Sequence, residues 1–379
     1  MQSSSSSIGR LLERMKIVSQ MERVPGFSSC LGVTYDHYRR YGQRSDEKTS
    51  NNRKVHFDGS KTLTMRLPVP PLTAGCNTKK AQLSTYLAIV DDVTTWALVL
   101  ADPGRCRAGV SVSLSATWVG QEQEKEKEQA PASSITTNTH DDDDDDDDSD
   151  RAEQAVQVID VKATVKKIGN NLGFVDAEIF SVESDTKNNG QQQAICIASH
   201  VKYLPAGIVM DFLQSRYGWN ITKMVYSGGE NRRRSADARS SLFESFKYEP
   251  ENDRATFHVS TIHSSLGGPI HGGCQAMLME MAATEYVARQ TAKSEEAYHL
   301  SSMNVNYLSR PSPKEVTLQV LDDTVQLSSA GKQAPSCFPV RVQLLCDGNL
   351  KSEGLLTFAK KPRETSSLPL PIQQPRAKL

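Results

Sequence analysis

The stretch "GGPIHGGCQAMLMEMAATEYVA", residues 267 to 288, decides how the rest of the chain is read. Two glycine pairs bracket His271, and an apolar run with helical spacing follows at once, carrying Glu280 in its middle. Glycine and histidine are poor helix formers, so their place at a helix start asks for a reason. One reading is that the glycines only let the backbone turn. The other is that the helix N-terminus is kept open for a ligand, since its first N–H groups are unpaired and its dipole end is positive. Gly272 and Gly273 would then remove side chains from the approach to those groups.

Working outward, the helix from Cys274 to Arg289 is followed by four strand-like runs: "YHLSSMNVNYLS", "EVTLQVLDDTVQL", "FPVRVQLLCDG" and "KSEGLLTFAKK". The first half has the same plan. A buried helix over Ala81 to Leu100 precedes "AGVSVSLSATWV", "VQVIDVKATVKKIG", "LGFVDAEIFSV" and "AICIASHVKYL", each alternating at the strand period. A further strand leads into each helix, "KTLTMRLPV" in one half and "RATFHVST" in the other. Asp91 to Ser111 and Glu280 to Leu300 both span twenty residues, which sets Leu114 against Met303 and Trp118 against Tyr307. Two tandem copies of one α+β unit, a helix packed on an antiparallel sheet, is the economical account.

Several function classes are disfavoured by composition. Net charge is -1, but residues 141 to 148 are eight consecutive aspartates, so the remainder is mildly basic. That balance suits an anionic small ligand and does not call for nucleic acid. No window holds about 18 uninterrupted apolar residues, so no membrane span is expected. The seven cysteines are scattered without CxxC pairs, which argues for reduced thiols in an intracellular compartment and against a zinc site. The N-terminus carries a serine run with Arg10, Arg14 and Lys16, as a mitochondrial transit peptide would. Its apolar residues also share one helical face, as in a packed amphipathic helix, so both readings stay open. Residues 121 to 154 read as a disordered acidic insert, Ile208 to Tyr226 as a connector helix, and Ser227 to Ser241 as a loop.

"GPIHGGCQAMLMEMAA", with "MNVNYLSRPSP" some twenty residues on, resembles the hotdog-fold acyl-CoA thioesterases of the phenylacetate-pathway type. Gly268, His271, Gly272, Gly273 and Glu280 match that motif residue by residue, while Ser265 stands where the family has Asn or Gln. In the more divergent first half, Asp91 falls on the acidic position and Ser111 on a strand serine that assists in some members. Gln82, Leu83 and Ser84 replace the histidine and glycines there. The resemblance implies two tandem hotdog domains, each an antiparallel sheet wrapped around a long central helix. They would span residues 27–204 and 241–362, flanked by an N-terminal segment 1–26, a connector 205–240 and a disordered tail 363–379.

It further implies sites shared between paired units, one giving the His-Gly-Gly end and the other the acid and serine. The expected equipped site joins His271, Gly272 and Gly273 to Asp91 and Ser111, and its counterpart joins Gln82 to Glu280. Within the first pair of acids, Asp91 and Asp92, ~100° per residue lets only one face inward, and the family register favours Asp91. Glu280 is either catalytic or a satisfied core carboxylate. Arg105, Arg107 and Arg310 are weak candidates for coenzyme A phosphates. The expected activity is hydrolysis of an acyl-CoA thioester, with coenzyme A arriving only as part of the substrate and no other cofactor or metal. The alternative is a catalytically degenerate double hotdog that binds acyl-CoA or a protein partner. A homodimer of the double unit, and a cytoplasmic or mitochondrial location, complete the expectations.

Overall fold

A computed structural model describes residues 27–31, 55–69, 82–102, 107, 109–119, 157–182, 194–205, 242–265, 269–292, 297–309, 311, 314–322 and 336–360. The expectations for residues 1–26, the acidic insert 121–154, the connector 208–226, the loop 227–241 and the tail 363–379 lie outside them, as do Gly268, Arg105 and Arg310.

The first half runs α1 (Phe27–Cys30), β1 (Val55–Phe57), β2 (Thr62–Pro68), α2 (Leu83–Ala101), β3 (Val110–Trp118), β4 (Val158–Ile168), β5 (Leu172–Ser181) and β6 (Ala194–Tyr203). The second runs β7 (Lys247–Glu249), β8 (Arg254–His258), a 3-10 turn (Thr261–His263), α3 (Gly272–Thr291), β9 (Tyr298–Tyr307), β10 (Glu315–Asp322), β11 (Cys337–Cys346) and β12 (Asn349–Lys360). Both long helices and the strands that follow them lie where the alternation placed them. The short strands β1 and β7 were not legible, because three residues are too few to show a period.

All twelve strands form one antiparallel sheet in the order β1-β2-β4-β5-β6-β3-β9-β12-β11-β10-β8-β7. Outward from the central β3–β9 pair, the two sides follow the same sequence of strands. Leu114 pairs with Val305 and Ala116 with Met303 across that seam, so neither half leaves this edge unpaired. Bulges also recur at matching places. Val112 is skipped in the β3–β6 ladder and Ser301 in the β9–β12 ladder, each twenty-one residues past the acid of its helix.

One face of the sheet is buried beneath the helices. Met65, Val161, Ile179 and Cys196 on one side, and Leu318, Val342, Leu344 and Leu356 on the other, point into this core. Helix α2 packs on β2 to β6 and α3 on β9 to β12, and the two helices pack on each other. Contact on two sides explains why α2 is apolar nearly all round. By length and composition α2 could cross a membrane, yet most of it is buried inside the protein, as befits a core helix.

The helices cross at the N-terminal end of α3. A Cβ on Gly273 would lie 2.4 Å from Ala88 Cβ and 2.6 Å from Ala88 Cα, so only glycine permits the approach. The expectation that Gly273 clears room for a ligand is therefore corrected: it clears room for α2. Gly273→Ala is expected to cost about 1–3 kcal/mol through overpacking, despite alanine's better helix propensity. Adding Ala88→Gly should recover part of that loss in chemical denaturation, since one of the two clashes disappears. Equal stability of Gly273→Ala and wild type would contradict this packing.

Candidate active site

The N-terminus of α3 is fixed by several neighbours. His271 N–H donates to His263 O (3.0 Å), Ile270 N–H to Pro311 O (3.1 Å), and the Tyr307 hydroxyl of β9 to Gly272 O (3.0 Å). His263 is buried and anchored in turn, with Nδ1 accepting from Ser260 N–H and Nε2 at 2.6 Å from Leu242 O. Among the described residues Ser265 bonds to Pro269 O alone, through N–H (2.8 Å) and hydroxyl (3.2 Å), and so shapes the loop without reaching the histidine's ring.

His271 is the N-cap of α3. Its Nδ1 accepts from Gly273 N–H at 3.0 Å, which leaves Nε2 to donate to Asp92 Oδ1 at 3.1 Å. Ser28 donates to the same Asp92 oxygen at 3.1 Å, and the Phe27 ring lies 5.2 Å from the imidazole. Burial pulls the imidazole pKa down, but the charge of Asp92 and its hydrogen bond outweigh that and raise it, with Asp91 adding to the effect. The expectation that only one of the two aspartates faces inward is corrected here. Asp91 and Asp92 meet opposite nitrogens of His271, at 3.8 Å from Nδ1 and 3.1 Å from Nε2. The end of α3 lies across the flank of α2, where adjacent side chains on either side of the contact line can both reach it.

Asp91 is 4% exposed and densely surrounded. Its Oδ1 accepts from Ser111 Oγ at 2.8 Å and from Lys202 Nζ at 3.0 Å, and His200 Nε2 stands 3.5 Å away. Burial alone would raise its pKa, but Lys202, His271 and His200 together hold it well below the usual carboxylate range. Its other oxygen, Oδ2, lies over Gly272, only 2.7 Å from where a Cβ there would be. Gly272 N–H, the first of the helix, donates to no group among the described residues. An ionised carboxylate oxygen thus stands beside an unpaired, dipole-backed N–H. That is an arrangement able to handle a nucleophile and a developing oxyanion together. Tyr307 keeps its proton, because burial and the Asp91 charge push its pKa well above the usual tyrosine value.

Lys202, His200, Asp92, Tyr307 and Ser28 were not expected. For the first two a signal existed: in "AICIASHVKYL" they stand in phase with buried Cys196 and Ala198 on β6. His200 Nδ1 lies 2.6 Å from Thr94 Oγ1 on α2, and burial with the Lys202 charge drives its pKa down to about 3, so it is neutral. Arg107 is buried and committed to Asp102 (2.9 Å) and Asn170 O (2.5 Å), which corrects its candidacy for phosphate binding.

Glu280 sits in a different setting. Helix α2 has no side-chain cap of its own at Gln82, and Glu280 Oε2 accepts from Ser84 N–H at 2.7 Å in its first turn. Around Asp91, β3 and β6 pair Ser111 with Lys202 and Leu114 with His200; at the matching positions Leu300 pairs with Phe358 and Met303 with Leu356. Glu280 therefore has no cation near it in those places, and burial raises its pKa against the opposing hydrogen bonds from Ser84 and Leu83. A carboxyl whose folded pKa is raised favours the fold at low pH and penalises it as pH climbs through that value. Glu280→Gln should accordingly raise the melting temperature at neutral pH, with the gain vanishing as pH falls to about 4. A gain that grows on acidification would contradict this assignment.

No protein-family model matches the chain, and no curated protein matches it. The structure is similar to hotdog-fold thioesterases at about 10% sequence identity. One is the tesB protein of Mycobacterium avium subs paratuberculosis (10% identical, TM-score 0.43, covering 82% of this chain and 96% of that one). A second is an acyl-ACP thioesterase from Bacteroides thetaiotaomicron (9% identical, TM-score 0.40, covering 78% and 97%). It is also similar to a conserved protein of unknown function with hot dog fold from Alicyclobacillus acidocaldarius (9% identical, TM-score 0.40, covering 81% and 96%).

Proposed function

We propose that the protein is two tandem hotdog units, residues 27–204 and 241–362, that hydrolyse an acyl-CoA thioester at one site between them. The observation that carries this reading is the seat of Asp91. A carboxylate from the first half lies over Gly272 of the second, beside the unpaired N–H of α3 and within 3.8 Å of His271. The matching repeat of strands and bulges supports the tandem division.

In the proposed reaction the thioester carbonyl oxygen points at Gly272 N–H, and Asp91 Oδ2 takes a proton from an attacking water. The new C–O bond gives a tetrahedral oxyanion, stabilised by the helix end in a site largely screened from water. Collapse breaks the C–S bond. The coenzyme A sulfur leaves and receives the proton held by Asp91, so acid and thiol are released with all atoms accounted for. His271 acts by fixing the end of α3 rather than by touching the carbonyl, because Nδ1 is already engaged with Gly273 N–H. Ser111 orients Asp91. Glu280 caps α2 and takes no part in the chemistry.

A panel of acyl-CoAs with detection of released thiol tests this. Asp91→Asn should lower kcat by roughly 10²- to 10⁴-fold, and Glu280→Gln should leave it within a few fold. Saturable binding of acyl-CoA without any turnover would favour the degenerate binding module instead. Loss of hydrolysis in Glu280→Gln alone would overturn the assignment of the acids.

A further inference from the structure

The two helix acids are held against the opposite helix's N-terminus in very different ways. Glu280 is seated by the Ser84 N–H, and the strand positions that match those around Asp91 hold the apolar Leu300, Met303, Leu356 and Phe358. The architecture can therefore hold such an acid without a cation. Asp91, by contrast, faces a lysine that is itself only 3% exposed. Burying an ammonium is costly unless it is paired and hydrogen-bonded, so Lys202 needs a reason beyond the fold.

The geometry suggests one. Lys202 Nζ (3.0 Å) and Ser111 Oγ (2.8 Å) both bond to Oδ1 of Asp91 and neither to Oδ2. Two donors from two strands on one oxygen fix the rotation of the carboxylate. The other oxygen is then left over Gly272. His200, tethered to Thr94 on α2, closes the space behind Oδ1 at 3.5 Å.

We propose that Lys202 is the positioning residue of this site, clamping Oδ1 of Asp91 so that Oδ2 alone faces the thioester carbonyl and its water. The proposal rests on the thioesterase reading above. The charged and titratable groups that face Asp91 are Lys202 and His200 from β6, His271 from α3 and Tyr307 from β9, with Asp92 next to it on α2. Among them Lys202 is the strongest charge opposing protonation of Asp91. Removing it lets the Asp91 pKa climb, so the acidic limb of activity, where Asp91 takes up a proton, moves to higher pH.

The test compares wild type with Lys202→Met, Lys202→Gln and Lys202→Arg. Lys202→Met should lower kcat roughly a hundredfold, as expected for a misplaced reacting group, with KM little changed. Its acidic limb in kcat/KM should rise by about one to three pH units. Lys202→Arg should keep the limb low and recover much of kcat. Wild-type kcat in the methionine variant, or a loss of kcat with an unmoved limb, would overturn the proposal. Should Lys202→Met fail to fold, Lys202→Gln carries the comparison. Isotope-edited infrared titration of the aspartate carboxylates, with the Asp91 band identified from Asp91→Asn, gives a readout that needs no activity. An unchanged Asp91 midpoint in Lys202→Gln sinks the role of Lys202. Wild type that turns over no acyl-CoA sinks the thioesterase reading and leaves the infrared result standing on its own.

Discussion

The close crossing of α2 and α3, with Gly273 set against Ala88, is the contact on which the rest of the structure depends. It brings each helix's N-terminal turn beneath the other's midpoint, where each carries a carboxylate. Glu280 of α3 then caps α2, while Asp91 of α2 lies over the first residue of α3. Exposed N–H groups at a helix end attract anions, and here each half provides the anion for the other. One packing event thus sets both the core and the candidate site. A side chain at position 273 would disturb the two together.

The same crossing has two unlike surroundings. At Asp91 the sheet contributes His200 and Lys202, both buried, and the half-buried Ser111 and Tyr307, polar groups placed there at the cost of desolvation. At the strand positions that match them stand Leu300, Leu356, Phe358 and Trp118, and Glu280 is met by donors from Ser84 and Leu83 of α2. The apolar version shows what the fold needs to be stable. The polar version therefore carries groups that the fold alone does not require, which is the usual mark of a site built for chemistry.

Much of this was legible in the sequence, and the limits have physical causes. The strand alternation placed the strands, and the equal spacing from Asp91 to Ser111 and from Glu280 to Leu300 set a register in which the bulges at Val112 and Ser301 fall. The rise of an α-helix puts His271 and Glu280 ~13 Å apart, too far for one carbonyl, so the partner of His271 had to come from elsewhere. Asp91 was named by the resemblance, which sets the His-Gly-Gly end of one unit against the acid of its partner. What could not be read were contacts fixed by cross-strand register and helix crossing. Lys202 reaches Asp91 because β6 pairs with β3 at Ser111, and Asp92 reaches His271 because α3 lies across α2. The role of Gly273 was misjudged for the same reason, since Ala88, the neighbour that needs the space, is distant in sequence.

A crystal structure with a non-hydrolysable ketone analogue of an acyl-CoA tests the central claim most directly. The account predicts the ketone oxygen within hydrogen-bonding distance of Gly272 N–H and its carbon facing Asp91 Oδ2, with one analogue bound per chain. An analogue seated beside Glu280 and Ser84, or one whose ketone lies away from the α3 N-terminus, would contradict it.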